Sequence, residues 1–292
     1  MGQFSKKWED LQFYDNFIFC KVMKNKNLCR QMLEILLGIN VQDIEYIQSE
    51  HPLDDYYQTR GIRMDVYVEG DDKVFNLEMQ TGDYEDLLLR SRYYLSASDI
   101  SSTPRRTKFK DLKETYIIFI CKDDPFGEAI PLYTEIKSFK ELPAYIIKDK
   151  THKLFYNTSA YAKAETEEIR DVLEFIYKLK ANSKFTKQLE NSVTLAKADH
   201  MFKDEYMYFA DILEDEKEEA RAIGLAEGRA TGLAEGRATG LAEGRAEGLA
   251  TGRNEKALED AVMAVTKYNI ESETAATDFN VALEDLKKAL GK

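Results

Sequence analysis

Two carboxylates and one amide within residues 60–80 are the side chains of this chain best placed to do chemistry together. The stretch reads Arg60-Gly-Ile-Arg-Met-Asp65-Val-Tyr-Val-Glu-Gly70-Asp-Asp-Lys-Val-Phe75-Asn-Leu-Glu78-Met-Gln80. It is two short runs of alternating apolar and polar residues around a turn at 70–73. With Asp71 and Asp72 at the turn centre, Gly70 faces Lys73, and Asp65 falls directly opposite Glu78. Side chains alternate along a strand, so Asp65, Tyr67, Asn76, Glu78 and Gln80 share one face. Met64, Val66, Val68, Phe75, Leu77 and Met79 form the other, the natural core face. Opposed carboxylates have Cβ atoms about 5 Å apart and repel. A divalent cation between them removes that repulsion, because Mg²⁺ favours one or two carboxylates together with water and phosphate oxygens. The residues alone leave two readings open: a cation site, or a solvated face that tolerates an acidic pair.

Elements that would hold this hairpin are legible on both sides. Residues 10–38 carry a helical pattern through Phe13, Phe17, Val22, Leu28, Met32, Leu33, Leu36 and Leu37, ending at Gly38 as a C-cap. Residues 41–48 are strand-like and 84–99 helical. Thr115 to Cys121 is a near-continuous apolar run, the pattern of a central strand, and 144–147 suggests another. All five prolines lie between Pro52 and Pro143. Beyond them, residues 164–222 place Glu, Lys, Ala and Leu at helical spacing, with 165–180 expected to pack on the sheet.

Residues 224–255 are tetrads that open alternately Gly-Leu-Ala and Gly-Arg, beginning Gly-Leu-Ala-Glu and Gly-Arg-Ala-Thr, with Gly at every fourth position from Gly224 to Gly252. Each Gly costs a helix about 1 kcal/mol relative to Ala, roughly 8 kcal/mol in all. The segment is therefore either a spacer or a helix covered by another helix. Leu225, Leu233, Leu241 and Leu249 recur every eight residues and drift about 80° per repeat around a helix, against a long straight coiled coil. Residues 254–292 form a small helical tail suited to packing or dimerisation. The chain thus divides into 1–215, 216–255 and 256–292.

The net charge of −12 argues against a general polyanion binder. A local basic rim remains compatible with it, since charge is screened over short distances at physiological salt. Arg90 and Arg92, with Arg105, Arg106, Lys108, Lys110 and Lys113, are the candidates. The first residues do not read as a signal peptide, and no run approaches the ~20 apolar residues of a membrane span. A soluble cytoplasmic protein is the expectation, with no membrane partner. Cys20, Cys29 and Cys121 lack zinc spacing and suggest buried thiols. His51, His152 and His200 have no metal or triad spacing, and the phosphate-binding and nucleophile-elbow glycine motifs are missing.

At Asp65 and Glu78-Met79-Gln80 the sequence resembles the PD-(D/E)xK nuclease superfamily. More narrowly, it is similar to the recombination-promoting nuclease and putative transposase group, whose motif is a strand Asp followed by Glu-x-Gln. Asp15-Asn-Phe-Ile-Phe, Val22-Met, Gly61-Ile-Arg-Met-Asp65, Arg90-Ser-Arg-Tyr-Tyr94, Tyr116 through Gly127 and Pro131-Leu-Tyr-Thr134 extend the likeness over residues 10–160.

The resemblance implies an α/β fold with a restriction-endonuclease-like αβββαβ core, here with a helical C-terminal extension. It implies an Mg²⁺-dependent DNA endonuclease (Mn²⁺ or Ca²⁺ as alternatives) linked to recombination or mobile-element biology. Asp65 and Glu78 would be the metal ligands and catalytic carboxylates, and Gln80 would orient the attacking water. Glu34 would be a first-helix carboxylate at the site, with Asp15 as its rival, and Arg90 and Arg92 would meet the DNA backbone.

Met64 stands where the superfamily name has Pro, and Gln80 where it has Lys. Gln80 offers one acceptor and two donors but no charge, so charge stabilisation falls to the metal and to neighbouring Lys or Arg. The competing reading is a weak or inactive nuclease scaffold acting as a binding or regulatory module through its repeat arm. On either reading the C-terminal helices are candidates for homo-oligomerisation.

Overall fold

In the computed structural model, residues 6–41, 44, 46–52, 63–70, 72–82 and 84–291 are described. The chain separates into two compact units, Met1–Leu213 and Glu214–Lys292.

The first unit is built on a mixed sheet. Helices α1 (Asn16–Met23) and α2 (Lys26–Leu37) precede strands β1 (Tyr46–Pro52), β2 (Arg63–Glu69) and β3 (Lys73–Gln80). Helix α3 (Leu87–Ser102) then carries the chain over to β4 (Glu114–Cys121). This is the αβββαβ order. Strands β5 (Leu132–Thr134), β6 (Ser138–Phe139), β7 (Leu142–Ile146) and β8 (Thr151–Asn157) follow, then helices α4 (Glu167–Lys178) and α5 (Lys184–Ala198). The six-stranded sheet runs β1-β2-β3-β4-β8-β5, while β6 and β7 form a separate two-stranded sheet. Strands β1 to β3 form an antiparallel meander. Strands β3, β4 and β8 are parallel, which requires a crossover at each step.

Both faces of the sheet are covered, so its central strands are mostly apolar, with Asn76 and Glu78 of β3 as buried polar exceptions. Val66, Val68, Phe75, Leu77, Met79, Ile118 and Ile120 pack with α1, α2, α4 and α5 in the main core. Ile117, Phe119 and Cys121 meet Leu87, Tyr94 and Leu95 of α3 on the other face. Met64 departs from the expected alternation: it joins Tyr67 and Val74 beside Tyr94 and Ala97, on the α3 side.

Other local expectations shift for identifiable reasons. The pattern over 10–38 is two helices, because the Asn25 side chain accepts from Asn27 N and Leu28 N and so caps a new start. Gly38 ends α2 at φ 64°, a conformation that favours glycine. The strand expected at 41–48 lies at Tyr46–Pro52, and residues 144–147 fall on or beside β7 of the small hairpin, outside the main sheet.

Helix α6 (His200–Tyr268) begins in the first unit, where Lys21 Nζ reaches Glu205 at 2.6 Å. The Gly-rich repeats are helical throughout, and among the described residues no Cβ placed on any of the eight glycines would meet a heavy atom beyond its own helical turn within 4 Å. In the second unit, Ala261 and Ala264 of α6 pack with Ala275, Ala276 and Leu286 of two short helices, α7 (Ser272–Asp278) and α8 (Leu283–Ala289).

Candidate active site

The β2–β3 register sets Val66 opposite Leu77, Tyr67 opposite Asn76, Val68 opposite Phe75 and Glu69 opposite Val74. Gly70 N–H donates to Lys73 O at 2.9 Å across the turn, whose Asp71 lies outside the described residues. Continued one step, the same register places Asp65 against Glu78. Side chains there occupy positions that a regular ladder gives to carbonyls. Asp65 N–H donates to Glu78 Oε1 at 3.0 Å, and Met79 N–H donates to Asp65 Oδ2 at 3.0 Å. The two carboxylates are thus fixed by each other's strand.

Helix α1 holds Asp65 from a third direction. Its first residue, Asn16, donates through Nδ2 to Asp65 Oδ1. One turn later, the single S–H of Cys20 is shared between Asn16 Oδ1 at 2.9 Å and Asp65 O at 3.2 Å. The start of the helix is itself anchored, because Asp15 accepts from Gln12 N–H at 2.7 Å and from Lys6 Nζ at 2.5 Å.

Asp65 is 6% exposed and Glu78 1%. Burial, and then the charge of Asp65, push the Glu78 carboxyl well above the usual range; the Asp65 amide and the Arg90 charge pull the other way. Gln80 is half-buried two residues on. Its Oε1 accepts from Arg90 Nη2 of α3 at 2.8 Å, and its backbone O accepts from Lys122 N–H at 2.8 Å. The Lys122 ammonium stands 3.5 Å from the centroid of the Tyr14 ring.

Asp65, Glu78, Gln80 and Arg90 are therefore brought into one constellation, and Arg92 is exposed on α3. Glu34 is elsewhere. Its Oε1 accepts from Val41 N–H at 3.2 Å, satisfying the chain just beyond Gly38, and no described contact joins it to the pair. The α1 position that reaches Asp65 is Asn16, next to Asp15. The basic cluster also divides: Lys113 pairs with Glu69 at 2.8 Å, and Lys150 donates to the Lys110 carbonyl at 3.2 Å. Both lie at the Glu114 end of β4, whereas Glu78 pairs with Phe119 five residues later, about 16 Å along the strand.

The donor set fits a divalent cation. Two buried carboxylates face each other, each oriented by backbone amides, with carboxylate lone pairs left over and an electrostatic cost that a cation would cancel. Among the described residues, no group of three or more His, Cys, Asp or Glu side chains is assembled for metal. The pair would accordingly leave most of the coordination to water and phosphate oxygens.

The family model of the PD-(D/E)XK nuclease family transposases matches residues 9–226 of this chain, well over half of it. The chain belongs to this family. The match takes in α1, the β2–β3 hairpin and α3, the elements that carry every member of the constellation. No curated protein and no solved structure matches the chain.

Proposed function

We propose that this family member is a metal-dependent DNA endonuclease that hydrolyses phosphodiester bonds in recombination or mobile-element processes. The observation that carries the reading is the Asp65–Glu78 pair, buried and cross-braced, with Gln80 beside it on the same strand. Asp65 and Glu78 would hold Mg²⁺, with Mn²⁺ as a substitute. A bound cation of this kind polarises a phosphodiester and lowers the pKa of its water.

The chain supplies the rest. Hydrogen bonds from Asn16, Met79 and Asp65 N–H keep the carboxylates from rotating away from the ion. Helix α3 packs on Ile117, Phe119 and Cys121 of the strand next to Glu78, and Glu78 itself is buried. Gln80, at the end of β3, presents its amide to the reacting phosphate or water. Arg92 and Lys122 offer cations to the DNA backbone, giving affinity without sequence readout. Three buried thiols suit a reducing cytoplasm. Exposed Leu225, Leu233, Leu241 and Leu249 offer a surface for self-association. Among the described residues, no helix is long and apolar enough to cross a membrane.

Incubating plasmid DNA with the purified protein in Mg²⁺, Mn²⁺ or EDTA, beside Asp65→Ala and Glu78→Ala, tests the reading. Nicking that needs metal and both carboxylates supports it. Folded protein that cleaves in no metal would leave the scaffold as a binding module.

A further inference from the structure

Gln80 replaces a lysine but stands in contact with an arginine. A guanidinium has only donors, so the Gln80 atom that meets Arg90 Nη2 must be the carbonyl oxygen. The opposite end of the amide, Nε2 with its two N–H donors, is left for the site. A free glutamine could turn either end toward a ligand; this one is locked.

The placement of Arg90 reinforces the point. Its guanidinium lies 5.8 Å from the centroid of the Phe119 ring, within reach of a cation–π attraction. Among the described residues, Arg90 Nε is buried without a hydrogen-bond partner. Leaving a charged group's donor unsatisfied is costly, and such a cost is tolerated where placement matters more than stability.

We propose that Arg90 is a positioning residue that acts through Gln80, fixing and polarising its amide so that Gln80 donates to a phosphate oxygen of the reacting DNA. Gln80 and Arg90 together then do what one lysine would do: the amide supplies the donor and the guanidinium supplies the charge behind it. This rests on the nuclease reading and changes the part assigned to Gln80 from orienting water to stabilising the phosphate.

A double-mutant cycle on DNA cleavage tests it, with Arg90→Ala, Gln80→Ala, the pair of both, and Arg90→Ala combined with Gln80→Lys. Two readouts without turnover accompany it: DNA affinity in Ca²⁺, and the side-chain amide resonances of Gln80 in metal-free protein. The expected result is a loss of about 100-fold in kcat for Arg90→Ala, with DNA affinity in Ca²⁺ unchanged. Arg90→Ala should add little once Gln80 is Ala, and the Gln80→Lys combination should recover most of the lost rate. The Gln80 amide resonances should move on Arg90→Ala. A loss of DNA affinity that persists in the Gln80→Ala background would overturn the proposal in favour of direct backbone contact. Unchanged amide resonances would also overturn it. Cleavage that survives Arg90→Ala removes the positioning role alone, whereas unmodified protein that never cleaves removes the nuclease reading itself.

Discussion

Glu78 Oε1 accepts the backbone N–H of Asp65 at 3.0 Å, the residue whose charge it opposes across the hairpin. Attraction to the amide and repulsion from the carboxylate thus act between the same two residues, and burial tips the balance. Glu78 binds a proton more readily in the folded protein than in the unfolded chain. Between the ordinary carboxylate range and the raised folded value, the native state carries the extra proton, so stability falls as pH rises through that window.

Glu78→Gln should remove this dependence. In metal-free protein at neutral pH the variant should be more stable than the parent, and the gap should close on acidification through the same window. Urea unfolding across pH, with chelator present, measures it; a variant less stable at neutral pH would contradict it.

Asn16→Ala removes a charge-assisted hydrogen bond to buried Asp65 and should cost about 1.5–3 kcal/mol. Asn16→Asp should cost more without metal, since it adds a third carboxylate, and should recover stability as Ca²⁺ is added. Thermal unfolding with and without Ca²⁺ separates the two effects.

The hairpin register was readable because both determinants were local: an acidic turn and a period-two alternation. Extending the alternation to Met64 failed where the strand leaves its regular ladder beside Asp65. Glu34 lies late on α2 and accepts from Val41 N–H, a local contact that sequence spacing does not reveal. The neighbour of Asp15 mattered instead, and the sequence around it was visible without its contact being so. Arg90 could be singled out, whereas its bond to Gln80 depends on how α3 crosses the sheet. Strand β8 carries little signal in the sequence, since Thr151-His-Lys opens it with polar residues and only Leu154, Phe155 and Tyr156 look like a core strand.

Lys21 is buried on α1, with its ammonium 4.7 Å from the Phe17 ring centroid and 2.6 Å from Glu205 Oε1 on α6. Glu205→Ala leaves that ammonium without this partner. Because the Glu205 side chain is 38% exposed, solvent screening reduces the loss to about 1–3 kcal/mol. Lys21→Met should cost less than Glu205→Ala, because a well-packed apolar chain leaves no charge behind. Urea midpoints of the two variants give the ordering.

Replacing the eight glycines from Gly224 to Gly252 by Ala should strengthen α6, since none of the added Cβ atoms meets a neighbour. Helix propensity should improve by roughly 1 kcal/mol at each position. Thermal loss of ellipticity at 222 nm should move to higher temperature. A loss of helix would show that another helix approaches these positions closely in solution.

The pairing of Asp65 with Glu78 as a metal site is tested most directly by soaking crystals in Mn²⁺ and recording anomalous diffraction. The account predicts a single strong anomalous peak coordinated by both carboxylates, lost in Asp65→Ala. No peak between them, or one held by other residues while the pair stays hydrogen-bonded only to protein, would contradict it.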